Sequence, residues 1–146
     1  MLRICNEESF HQRQGYEIML KMAKGTPEQH EMAQDALNRW WWPALMMFGP
    51  HDNQSSRTTK GMLWKIKRAS NDELRQRFID KTVPQAVFLG LKIPDPKLRW
   101  NEASGHYDTG EINWEEFNQV IHGDGPCNLE RMAHHKNVHA EGAWVR

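Results

Sequence analysis

The segment TPEQHEMAQDALNRWWWPALMMF, residues 26–48, shows the helical character of the chain most clearly. It opens on Thr26-Pro27-Glu28-Gln29, a capping box with proline at the first helical position. Apolar residues then recur at three- and four-residue steps opposite a polar face, which is typical of an amphipathic helix. Pro43 should bend this helix, because its ring crowds the carbonyl four residues earlier. The predicted apolar stripe consists of Met32, Ala33, Ala36, Leu37, Trp40, Trp41, Ala44, Leu45 and Phe48.

The preceding segment, residues 2–23, has the same helical period and stops before Gly25. One face of this helix carries Ile4, Glu8, His11, Gly15, Ile18 and Met22. Because Glu8 and His11 are three residues apart on a helix, both side chains can reach one metal ion. Burial of an ionised carboxylate in an apolar stripe is costly unless its charge is compensated. From spacing alone the pair is a candidate metal site, and the favoured alternative is a mutual hydrogen bond or a bend that exposes both residues.

The rest of the chain predicts further helices and at most one small β-hairpin, with no internal repeat. A polar loop is predicted over residues 49–59, followed by a short amphipathic piece over 62–68. The next helix is capped by Ser70 and runs toward Leu91 with a bend at Pro84. A hairpin is predicted near 98–107 around Ala103-Ser104-Gly105, then a short helix capped by Asn113 and a last helix from Asn128 through Val145.

Composition excludes several classes of protein. Lysine plus arginine and aspartate plus glutamate both number 19, so no net charge draws the chain to nucleic acid or an anionic membrane. The longest apolar run is too short to span a bilayer, and two cysteines, Cys5 and Cys127, form no disulfide framework. These features predict a cytoplasmic protein with inert thiols. Seven Trp and eight Met in an otherwise polar chain indicate surfaces that pack against another helix or subunit.

Two further groups could carry chemistry. The last helix carries His134, His135 and His139, which could form a zinc clamp, although a solvated helix face is favoured because no further ligand is nearby. His51, His106 and His122 look incidental. A basic cluster could meet the phosphates of a nucleotide-like ligand, but a surface paired with Asp72, Glu73 and Asp80 is favoured. That cluster consists of Lys65, Lys67, Arg68, Arg75 and Arg77. Residues 40–42, three tryptophans, are interpreted as core and interface packing.

Six blocks of the chain resemble the catalytic A subunits of the phenylacetyl-CoA epoxidases, multicomponent ring oxygenases of phenylacetate degradation. The blocks are EESFHQRQG (7–15), NRWWWPALMMFGP (38–50), WKIKR (64–68), NDELRQRFIDKTVPQ (71–85), PDPKLRWNEASGHYDTGEINWEEF (94–117) and EGAWVR (141–146). The resemblance implies a ferritin-like di-iron oxygenase that inserts one atom of O2 into the ring of phenylacetyl-CoA. It also implies a metal-free helical partner subunit, together with a separate reductase subunit that carries FAD and a 2Fe-2S cluster and takes electrons from NADPH.

The resemblance assigns Glu8 and His11 to the second of the family's two ligand pairs, and it reverses the weighing of that pair in favour of a metal-ligand role. It covers only the C-terminal part of the family's catalytic subunit. The expected fold is therefore mainly α, an incomplete ferritin-like helical bundle. Residues 1–48 are expected to form its last two helices, and residues 49–146 a helical C-terminal extension. Because the helices with the remaining ligands have no counterpart here, we expect the chain alone to bind no stable di-iron centre and to be inactive.

Three roles stay open from the sequence. In the first, the chain is a fragment of the oxygenase subunit, while activity belongs to the intact protein. In the second, it is a non-catalytic assembly module that binds the partner subunit of the epoxidase complex through its Trp- and Met-rich surface. In the third, a separate chain supplies the N-terminal helices of the bundle.

Overall fold

Two long helices joined by a short turn begin the chain. The computed structural model describes residues 2–126 and 128–142, without the side chains of residues 2–6, 56, 139, 141 and 142. Helix α1 spans Leu2–Ala23 and helix α2 spans Pro27–Met46. The predicted capping box is present: Gln29 N donates to Thr26 Oγ1 over 3.3 Å, and Thr26 N donates to Gln29 Oε1 over 2.9 Å. Pro43 lies inside α2, as predicted.

Shorter elements follow α2. They are a 3-10 helix at Asp52–Gln54, α3 at Ser56–Leu63, α4 at Asn71–Phe88, strands β1 at Arg99–Asn101 and β2 at His106–Asp108, α5 at Trp114–Ile121 and α6 at Asn128–Gly142. The two strands pair antiparallel with Trp100 opposite Tyr107, so the predicted hairpin is confirmed. The caps predicted at Ser70 and Asn113 are also present. The predictions for Cys127 and for the last helix beyond residue 142 lie outside the described residues.

The predictions for residues 49–68 were wrong, because the structure has a helix where part of the polar loop was predicted. Helix α3 starts inside the expected loop, because the Ser55 side chain accepts a hydrogen bond from Thr58 N at 3.2 Å and caps it. It ends where the amphipathic piece was expected. Lys65, at φ 55°, adopts the left-handed conformation there, and the backbone amides of Ile66 and Lys67 both donate to Gly61 O over 3.0 Å. This arrangement closes the helix.

The core lies between α2 and α4. Trp41 and Leu45 from α2 pack with Ile79 and Val83 from α4, all of them almost fully buried, and Ala33 completes this contact. The connection from α4 to β1 covers the edge of this core with Leu89, Leu91 and Ile93. The architecture is thus mainly α with one two-stranded sheet, which is consistent with a ferritin-like helical fold. Within the described residues, none of the helices has the length and apolar character needed to cross a membrane.

Candidate metal centre

Glu8 and His11 lie on α1 in the part of that helix that is most open to solvent. Both side chains are exposed, as are all the residues from 7 to 18. Neither side chain forms a hydrogen bond or ion pair with another described residue, so the first form of the alternative to a metal role, a mutual hydrogen bond, is not observed. The second form, exposure of both residues, is observed. Their carboxylate and imidazole groups are therefore both free to bind something else.

The expectation that Glu8 and His11 sit in a buried apolar stripe was wrong for this chain. Ile18, from the same predicted stripe, is 49% exposed, and Phe10 is 75% exposed. The reason lies in α2, whose inward apolar residues pack on α4 and cover only the last turns of α1, from Met19 to Ala23. A Cβ added to Gly15, one turn beyond His11, would meet nothing within 4 Å. This face of α1 is therefore open.

An apolar groove runs beside this face, between α1, α2 and α4. Its volume is about 300 Å³, and His11 and Gln12 form part of its wall. Its apolar lining comes from Met19 of α1, Leu37 of α2 and Phe78 of α4, and from Ala86, Leu89 and Leu91 further along the chain. Polar groups of Lys81, Thr82 and Gln85 edge it. One of the two candidate ligands thus borders a space with an apolar wall.

The donor set for a metal is incomplete within residues 2–126 and 128–142. No three side chains among His, Cys, Asp and Glu come close enough there to hold an ion. Glu8 and His11 nevertheless suit iron chemically, because carboxylate oxygen and imidazole nitrogen are the ligands that helical di-iron proteins use. Two donors are too few to hold an ion, so an iron site at this pair would need further ligands.

The two histidines of α6 whose side chains the structure describes, His134 and His135, form no metal-binding cluster with other described residues. His134 and His135 are exposed on α6, where Arg131 and Met132 line the same shallow pocket, and His135 has an interaction of its own. The side chains of His139 and Cys5 lie outside the described part of the chain, as does Cys127.

The predicted basic cluster is not a single surface. Arg75 is 6% exposed and ties α4 to the end of α2: its Nε donates to Leu45 O over 3.3 Å, and its Nη2 donates to Gly49 O. Its Nη1 donates to Asp72 Oδ1 over 2.5 Å, so the expected pairing with Asp72 is present. Arg77 pairs with Glu73, as expected. Lys65, Arg68 and Arg77 are exposed, and of these Lys65 and Arg68 form no ion pair with a residue that the structure describes.

Two histidines that looked incidental in sequence form specific contacts. His51 Nδ1 lies 2.9 Å from Asp72 Oδ1, and His106 Nδ1 lies 2.6 Å from Asp80 Oδ2. Burial raises the pKa of the Asp80 carboxyl, but hydrogen bonds from the Tyr107 amide, Gln76 and His106 outweigh it and leave the pKa below its usual range. These histidines were missed because their partners lie 21 and 26 residues away in sequence. They fix the loop after α2 and the hairpin onto α4.

The three tryptophans of residues 40–42 divide between core and surface. Trp41 is buried, with its ring centroid 6.3 Å from that of Phe78, whereas Trp40 is 44% exposed and Trp42 is half-buried. The prediction of core packing is therefore confirmed for Trp41. The interface role of Trp40 stays a prediction.

Comparison with known proteins supports the sequence resemblance. A family model described as phenylacetic acid catabolic protein matches residues 1–144. Over 146 residues the chain is 56% identical to a protein of Escherichia coli (strain K12) described as the A subunit of 1,2-phenylacetyl-CoA epoxidase. The match covers 100% of this chain and 47% of that protein, so the chain spans less than half the length of its relative. Because the family model covers almost every residue, the chain belongs to the phenylacetic acid catabolic protein family.

Proposed function

We propose that this chain is the C-terminal part of the oxygenase subunit of a phenylacetyl-CoA epoxidase, a cytoplasmic multisubunit enzyme that epoxidises the aromatic ring with O2. The identity of 56% to the A subunit of such an epoxidase supports this proposal at the level of the subunit. The single structural observation that carries it is the exposed pair Glu8 and His11 on an uncovered helix face beside an apolar groove. A helix face that only contacts solvent would not require an apolar wall beside its histidine.

The proposed roles of this chain's residues are binding and shaping. Glu8 would supply a carboxylate oxygen and His11 an imidazole nitrogen to a di-iron centre, with the other ligands from helices outside this chain. When bound, such a centre would supply the electrons that activate O2, and a separate NADPH-dependent subunit with FAD and a 2Fe-2S cluster would be their source. Phe78 and Met19 would line the space beside His11 with apolar surface and keep water from it.

The test compares this chain with the full-length polypeptide that contains it. Both are purified without metal, loaded with ferrous iron under anaerobic conditions, and assayed for iron per chain and for oxidation of phenylacetyl-CoA with the other subunits present. We expect about two irons and activity for the full-length form, and no tightly held iron for this chain alone.

Matched variants of the full-length form then locate the ligands. Glu8→Ala and His11→Ala should each lower bound iron and abolish activity, whereas Glu31→Ala on α2 and His134→Ala on α6, both exposed, should change neither. Two irons held tightly by this chain alone, or iron content unaffected by Glu8→Ala and His11→Ala, would contradict the proposed metal role.

The second candidate is a non-catalytic assembly module. It is favoured by the incomplete ligand set among the described residues, together with large apolar side chains in solvent such as Leu63, Trp64 and Ile66. Stoichiometric co-purification of this chain with the metal-free helical subunit in the presence of a chelator would support it. Loss of that complex on removal of iron would argue for the oxygenase role alone.

A further inference from the structure

The loop that closes α3 presents large apolar side chains to solvent. Leu63 is 76% exposed, Trp64 is 67% exposed and Ile66 is 77% exposed. Single exposed apolar residues are common on proteins, but three within four positions concentrate apolar surface on one short segment, as contact sites do. We call residues 60–68 the α3 loop surface.

Positive charge surrounds these apolar groups. Residues 55–70 contain five cations and no carboxylate, although the whole chain has a net charge of zero. Lys67 donates to Asn71, but Lys60, Lys65 and Arg68 are exposed and form no ion pair with any residue that the structure describes. Among the described residues, therefore, no carboxylate neutralises these three cations.

The backbone of the α3 loop surface is held in one conformation. The amides of Trp64, Ile66 and Lys67 are all hydrogen-bonded to carbonyls of α3, each over 3.0 Å. Ala69, which follows the surface directly, is buried at 5% exposure and anchors it to the body. A partner would meet a preformed surface, which lowers the entropic cost of binding.

We propose that the α3 loop surface docks another protein subunit of the epoxidase through an apolar pocket edged by carboxylates. This inference rests on the proposed membership of the chain in a multisubunit enzyme. Tryptophan flanked by aliphatic residues is a typical anchor of protein interfaces, and the exposed cations favour a facing surface with acidic groups. Nucleic acid fits less well, because proteins that bind single strands stack successive bases on several rings, and Trp64 is the one aromatic residue among residues 60–68.

Hydrogen exchange locates the contact directly. The full-length polypeptide is measured alone and after addition of the other epoxidase subunits, one at a time. We expect amides of residues 60–68 to exchange at least about tenfold more slowly when one particular subunit is added, because a docked surface excludes water. Protection already complete in the isolated polypeptide would mean that its own remaining segment covers the patch, and would overturn the proposal.

Paired variants measure the binding energy of the surface. Trp64→Ala with Ile66→Ala, and Lys65→Glu with Arg68→Glu, should each weaken subunit binding by at least about tenfold, and salt should weaken the wild type more than the charge-reversed form. The controls are Val87→Ala with Leu129→Ala, and Lys92→Glu with Lys97→Glu, which alter equally exposed residues elsewhere. Melting temperatures of all four forms should match the wild type.

The remaining outcomes separate this proposal from the proposed function. Equal binding by wild type and by both surface variants would overturn the docking surface alone. Failure of the wild type to bind any epoxidase subunit would overturn the proposed function as well. Binding to vesicles of phosphatidylglycerol and phosphatidylcholine that the surface variants lose, without subunit binding through the same residues, would assign the surface to a membrane and overturn the protein partner.

Discussion

At the scale of single residues, Arg75 illustrates how a charged side chain can belong to the core. Its guanidinium is 6% exposed and donates to Leu45 O, Gly49 O and Asp72. The two carbonyls lie at the end of α2 and just beyond it, where helix geometry leaves carbonyl groups without partners. Burying the charge is therefore offset by three acceptors, two of which are carbonyls at a helix end.

Substitution of Arg75 should be costly even when the charge is kept. We expect Arg75→Lys to lower the free energy of unfolding by about 2 kcal/mol, because a lysine ammonium cannot reach acceptors in three directions. Urea denaturation of the chain measures this. Arg77→Lys is the matched control on the same helix, since Arg77 is exposed and pairs only with Glu73, and it should change stability by less than about 0.5 kcal/mol. Equal effects of the two substitutions would refute the structural role of Arg75.

Arg75 also marks a limit of prediction from sequence. In the sequence, Val87 is one of the apolar residues of α4, yet it is 68% exposed, whereas the polar residues Asn71 and Arg75 are buried. Asn71 Nδ2 donates to Pro50 O over 2.8 Å. These polar residues turn inward because the connection after α2 offers them carbonyl oxygens, and that connection is 21 or more residues away in sequence. A periodicity read along one helix cannot contain this information.

At the scale of elements, α3 ends without the glycine that usually closes a helix. Lys65 takes the left-handed conformation at φ 55°, which for a residue with a Cβ costs roughly 1–2 kcal/mol. The sequence therefore carried no glycine signal at this helix end, which is why α3 was misplaced. The capping box of α2 and the caps of α4 and α5 were predicted correctly, because their signals are local and the residues are of the usual types.

Glycine at position 65 should stabilise the chain. We expect Lys65→Gly to raise the free energy of unfolding by about 1 kcal/mol relative to Lys65→Ala, because glycine adopts positive φ without a steric penalty. Both substitutions remove the same charge, so their difference isolates the backbone effect. Thermal or urea unfolding of the two variants measures it. A lower stability for Lys65→Gly than for Lys65→Ala would rule out the left-handed conformation at this residue.

At the scale of the whole molecule, two carboxylates of α4 connect it to distant segments. Asp80 contacts His106 and the Tyr107 amide of the hairpin, while Asp72 contacts His51, Arg75 and the Asp52 amide. For both, burial acts to raise the pKa, but the hydrogen bonds outweigh it and hold the pKa below the usual value. Folding thus favours the ionised forms. Their contribution to stability is fully present above the unfolded pKa and is lost as the pH falls through the folded pKa.

Acid should therefore loosen the molecule through these two carboxylates. We expect the free energy of unfolding to vary little between neutral pH and about pH 5, and to fall as the pH drops below about 4. Asp80→Asn should lower stability at neutral pH, and its difference from the wild type should shrink in acid. Urea unfolding across this pH range tests both statements, with Glu102→Gln at an exposed position as the control. A difference that grows as the pH falls would contradict the assigned role of Asp80.

At the candidate site too, features that depend on neighbouring residues could be predicted from the sequence, and features that depend on distant residues could not. The helical spacing of Glu8 and His11 was legible in the sequence, and α1 is helical there. Their exposure appeared there only as an alternative to burial, because burial of the predicted stripe of α1 presupposed covering helices that the described residues do not include. The same limit applies to the groove beside His11, which depends on the approach of Phe78 from a helix about 60 residues later.

The exposure of residues 7–18 has a consequence for the order of events in assembly. A helical segment that buries little apolar surface is held mainly by its own backbone hydrogen bonds, and an isolated helix of this length is marginal in water. Those turns of α1 therefore belong to the parts of the chain that open most easily. Any ion or neighbouring helix that engages Glu8 and His11 would also supply the free energy that keeps these turns wound, so ligand capture and helix formation become one cooperative step.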